Sequence, residues 1–78
     1  MLKVGQVMQS LDKKGSVYIE DVYEDRVVRL EKNGNKVDAY IKRKGQNEIV
    51  SRYYADSVQE TIHELHNKEI TRDEYYRY

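Results

Sequence analysis

The chain reads as an α+β domain: a short N-terminal helix, an antiparallel β-meander of three to four strands, then a C-terminal helix followed by a short helical turn. Three observations predict this. Apolar residues recur at helical spacing near each end. Apolar and polar residues alternate through the middle. Asn33-Gly34 divides that middle stretch into two β-rich runs. With 78 residues and no linker or repeat, residues 1–78 form a single domain.

The first helix follows from Val4, Val7, Met8 and Leu11, which stand at i, i+3, i+4 and i+7 and make one stripe. Lys13 and Lys14 suit a helix C-terminus, where cations meet the negative end of the dipole, and Gly15 can end it. The helix is expected over residues 3–13.

Asn33-Gly34 is a hairpin signal because both residues tolerate positive φ. A two-residue turn there pairs Lys32 with Asn35, Leu30 with Val37, Val28 with Ala39 and Arg26 with Ile41. On the opposite face Glu31 meets Lys36 and Arg29 meets Asp38, so apolar residues match on one side and charges on the other. A preceding loop at Glu24-Asp25 pairs Val22 with Val27, Glu20 with Arg29 and Ile19 with Leu30. Two rows follow, Glu20–Arg29–Asp38 towards solvent and Ile19–Leu30–Val37 in the core. Asp21 then joins the core face, which requires either a place near the sheet end or a longer first turn.

Lys44-Gly45-Gln46-Asn47 marks another turn, and Glu48 to Tyr53 forms a fourth strand with Val50 opposite Ile41. Asp56 and Gln59 fit a capping box ahead of a stripe of Val58, Ile62 and Leu65, and Asn67 stops that helix. Thr71 and Glu74 make a second capping box, with Ile70 and Tyr75 at the staple positions. The terminal segment from Arg72 to Tyr78 should fray unless it docks.

Composition narrows the function classes. The chain has no cysteine, which excludes disulfides and cysteine–zinc sites. No apolar run has the length of a membrane span, and no apolar h-region follows Met1, so a cytoplasmic protein is expected. Charge is balanced at 14 basic and 14 acidic residues, but residues 1–55 hold a net +3 and residues 56–78 a net −3. All eight aromatics are tyrosine, a residue with an apolar ring and a polar tip that suits half-buried edges and interfaces.

Motifs for catalysis are missing. The serines and threonines lie outside any nucleophile-elbow context, the four glycines are isolated, and a domain this small seldom forms a deep pocket. His63 and His66 stand three apart, whereas the metalloprotease spacing is four, so no metal or other cofactor is expected. Two surfaces stand out instead. One is aromatic: Tyr75, Tyr76 and Tyr78 at the C-terminus, with Tyr18 and Tyr40 on the sheet. The other is basic: Lys42, Arg43 and Lys44, with Arg52 near Tyr53 and Tyr54, a combination that can hold single-stranded nucleic acid or simply guard a strand edge.

The run Glu69-Ile70-Thr71-Arg72-Asp73-Glu74-Tyr75 and the helix–meander–helix layout resemble short accessory proteins of phages and prophages. The resemblance covers that motif and the general layout, and it carries no functional residue across. It implies a non-enzymatic protein that occludes a host protein, such as a defence enzyme, in the host cytoplasm. The leading expectation is therefore a protein-binding surface at Tyr75, Tyr76, Tyr78, Tyr18 and Tyr40. The alternative is nucleic-acid binding through Lys42, Arg43, Lys44 and Arg52. A homodimer is compatible with both, since a small core gains from a partner.

Overall fold

The computed structural model describes residues 3–22, 24–52 and 67–78. The expected helix over Asp56–Leu65, together with Tyr53, Tyr54, His63 and His66, lies outside them. The chain opens with α1 (Val4–Lys14) and continues through β1 (Ser16–Asp21), β2 (Arg26–Asn33), β3 (Lys36–Arg43) and the short β4 (Ile49–Val50). It closes with β5 (Asn67–Ile70) and α2 (Arg72–Arg77). The strands form an antiparallel sheet in the order β4-β3-β2-β1-β5, giving an α+β fold. No described helix is long and apolar enough to cross a membrane.

Helix α1 starts where the Gln6 side chain accepts the Lys3 N–H at 3.0 Å. It ends at Gly15, whose φ of 81° is a left-handed conformation that glycine adopts without a Cβ clash. The helix buries Val7 and Leu11 against one sheet face, on Val17, Ile19, Val28, Leu30 and Ala39. The other face also has a core, made by Val27, Ile70 and Tyr75 with Tyr18 and Tyr78 packed against it. The sheet is thus covered on both sides, with α1 on one and α2 on the other.

The hairpin turns one residue later than expected. Asn33 pairs with Lys36, so the two-residue turn is Gly34-Asn35. Gly34 has φ 64° at the first turn position, as a II′ turn requires, while Asn33 stays in the strand. The register therefore slides by two residues. Leu30 faces Ala39 rather than Val37, Val28 faces Ile41, Arg26 faces Arg43, and Arg29 faces Tyr40 rather than Asp38. Glu31 faces Asp38, a like-charge pair. The β1–β2 register slides by two as well, to Ile19↔Val28, Glu20↔Val27 and Asp21↔Arg26. Strand β1 ends at Asp21 and β2 begins at Arg26, with Asp25 at φ 49° just before it.

Both slides keep every side chain on its expected face, because faces repeat with period two. The predicted Glu20–Arg29–Asp38 row does not form. The row across the sheet is Ile70–Tyr18–Arg29–Tyr40–Val50. Val50 faces Tyr40, and it is Ile49 that faces Ile41. Asp21 lies on the α1 face, buried at the sheet end beside the longer loop, and accepts a bond from Arg26 Nε at 3.0 Å. Strand β5 begins at Asn67, a position read from sequence as a helix stop.

Candidate functional site

Helix α2 docks because its two ends are fixed. At the start Thr71 Oγ1 accepts the Glu74 N–H at 3.1 Å, and Glu74 accepts the Thr71 N–H at 3.0 Å, the reciprocal capping box expected from the sequence. Hydrogen bonding to the carboxyl, by the Thr71 backbone N–H first and then by the Thr71 side chain, holds Glu74 below the usual glutamate range. At the far end the Gly45 N–H donates to the main-chain oxygen of Tyr78 at 2.8 Å.

Between these ends Tyr75 is 0% exposed, and its hydroxyl donates to Glu48 at 2.6 Å. Glu48 also accepts two bonds from Arg29, from Nη2 at 2.9 Å and Nε at 3.3 Å. Arg29 Nη1 bonds Glu31, and the guanidinium carbon lies 3.9 Å from the centre of the Tyr40 ring. Burial alone would raise the Glu48 pKa, but the bonds from Arg29 and Tyr75 outweigh it and the net shift is downward. Burial would lower that of Arg29, yet the bond and charge of Glu48 push it up. Burial and the bond to Glu48 both raise the Tyr75 phenol. The three groups therefore stay in their ordinary charge states at neutral pH, as a bound unit.

The rings of Tyr18, Tyr75 and Tyr76 pack together, with centroids 5.3, 6.4 and 4.9 Å apart for the pairs 18–75, 18–76 and 75–76 in tilted or edge contacts. Tyr76 is the outermost, 45% exposed, with Arg72 over its ring at 5.6 Å. The face thus presents Tyr76, the half-buried Tyr18 and Tyr40, and Val50, which is 67% exposed on β4.

Of the five tyrosines singled out in the sequence, four meet around Arg29, directly or through Tyr75. Tyr75 itself is internal, so its ring offers no surface to a partner. Tyr78 is half-buried and packs against the α2-side core. The basic set is divided. Arg43, Lys44 and Arg52 are exposed, while Lys42 is buried on the α2 side of the sheet and is not a surface cation. Among the described residues no group of three His, Cys, Asp or Glu could hold a metal.

Sequence reasoning missed Arg29 and Glu48. The expected row Glu20–Arg29–Asp38 makes Arg29 a paired surface charge, a pairing the true register removes. Glu48 lies 19 residues from Arg29 and 27 from Tyr75, and no local spacing rule links residues so far apart. Comparisons with protein families, with curated proteins and with solved structures find no match to this chain.

Proposed function

We propose that this protein is a non-enzymatic binding module that acts by covering a surface of a partner protein, using the strip Tyr76–Tyr18–Arg29–Tyr40–Val50. The observation that carries the reading is the exposed Tyr76 ring set on a sheet row whose central arginine is held by Glu48. Tyrosine and arginine are enriched at interface hot spots, where a rigid ring adds contact area at low entropic cost. The Glu48 network supplies that rigidity, because it fixes Arg29 and Tyr75 before any partner arrives. A host protein, such as a defence enzyme, is the partner class that the phage-like C-terminal motif suggests. The alternative phosphate-tracking role is the weaker reading, since Lys42 faces inward.

The test is affinity capture with wild type beside Tyr76→Ala and Val50→Ser, both at exposed positions. A partner retained by wild type and lost with either variant, at unchanged melting temperature, supports the reading. Partners unaffected by both variants would remove this strip as the binding surface. Light scattering on the same samples tells a second copy of the chain from a foreign partner.

A further inference from the structure

Helix α2 divides its sheet face. The aromatic strip lies on one flank, and on the other is a groove of about 410 Å³ lined by Glu20, Lys44, Ile70, Glu74, Arg77 and Tyr78. Its walls come from β1, β5, α2 and the turn after β3, and the bond from Gly45 to Tyr78 fastens that turn to the helix end. The volume falls in the range of small-ligand sites, about 300–1,000 Å³.

The charges lining the groove are unequally satisfied. Glu20 is bridged by Lys68 at 3.5 Å. Glu74 is engaged by the Thr71 N–H in the capping box. Lys44 forms no ion pair or hydrogen bond among the described residues. Arg77 lies near enough to Glu74 to favour its ionised form, but bonds nothing described. The acids are thus occupied by groups on the β5 side, and two cations are left near the Gly45–Tyr78 clasp. The lining also includes an apolar side chain, Ile70, and the half-buried Tyr78.

We propose that this groove binds a small molecule carrying an anionic oxyacid group on a flat, apolar body. Lys44 and Arg77 take the anion, and Ile70 and Tyr78 pack against the body. Arg77 joins the basic corner only through the fold, since it lies 33 residues beyond Lys44 in the chain. The site lies on the flank of α2 away from Tyr76, so it stands independently of the protein-binding strip.

The experiment is an amide NMR titration of the full chain with phenyl phosphate, benzoate, inorganic phosphate and phenol. Saturable shifts at Lys44, Gly45, Ile70, Arg77 and Tyr78 are expected with phenyl phosphate, benzoate or both, and whichever binds more tightly identifies the oxyacid. Phenol and inorganic phosphate should each bind about tenfold more weakly, since each lacks one half of the recognition. Lys44→Gln and Arg77→Gln should each weaken the response about tenfold at unchanged melting temperature, because one charge-assisted contact is lost. No saturable shift at millimolar aryl ligand overturns the proposal. So does an equal response to inorganic phosphate, or a response that survives the double variant. An oligonucleotide that binds while phenyl phosphate and benzoate do not also overturns it, and points to an extended phosphate track.

Discussion

Tyr75 donates its phenolic hydrogen to Glu48 across 2.6 Å, and so ties the C-terminal helix to the segment between β3 and β4. The same carboxylate holds Arg29 of the central strand β2. One acceptor thereby links three parts of the chain. An isolated α2 of six residues would be too short to persist in water. Its stability comes from this bond and from burying the Tyr75 ring.

Tyr75→Phe removes the hydroxyl and keeps the ring. Because the lost bond is to a charged acceptor, urea denaturation should show a loss of about 1.5–3 kcal/mol with the fold retained. Tyr75→Ala also empties a core position and should cost about 3–5 kcal/mol. If the Phe variant were as stable as wild type, the hydroxyl would contribute nothing to docking.

Acid should loosen the same junction. Glu48 has its pKa lowered in the fold, so it binds a proton more weakly folded than unfolded. Its contribution is complete above the unfolded value of about 4.3 and is lost as pH falls through the lower folded value. Wild-type stability should therefore drop below about pH 4.3, and Glu48→Gln should flatten that drop while being less stable at pH 7. Chemical denaturation at a series of pH values measures both.

At the alkaline end the sign reverses. Tyr75 has its phenol pKa raised, so the neutral form is the one the fold favours. That contribution is complete below the unfolded value of about 10 and fades as pH rises towards the higher folded one. Tyr75→Phe, which cannot ionise, should show a smaller loss of stability between about pH 9 and 11.

The turn offers a test of register. Gly34→Ala places a Cβ at φ 64° and should cost about 1 kcal/mol or more. Asn33→Thr lies in an exposed strand position and should stay within about 0.5 kcal/mol of wild type. Had the turn been centred on Asn33-Gly34, β-branched threonine at Asn33 would have been strongly unfavourable. Thermal melts of the two variants distinguish the registers.

Asp21 and Arg26 make an unequal pair, with side chains 3% and 17% exposed. Arg26→Ala strands a buried carboxylate and should destabilise by about 3 kcal/mol or more. Asp21→Asn keeps an acceptor for Arg26 and should cost less. Equal losses in the two variants would mean that Asp21 is not sealed from water.

The residues of this chain determined by themselves which side of the sheet each residue of β1, β2 and β3 faces. Alternation with period two assigned Ile19, Val28, Leu30 and Ala39 to one core, and local chemistry marked Gly15 as a helix end and Thr71–Glu74 as a cap. Register was beyond that reach, since a slide of two residues preserves every face and differs only in which residue takes the strained turn position. Gly34 takes it at lower steric cost than Asn33 does, and with that the expected charge pairs of Arg29 were lost. The tertiary structure alone decided what replaced them. Glu48 reaches Arg29 and Tyr75 only after the meander has folded back and α2 has crossed its face. Contacts 19 and 27 residues apart in the chain leave no local pattern to read.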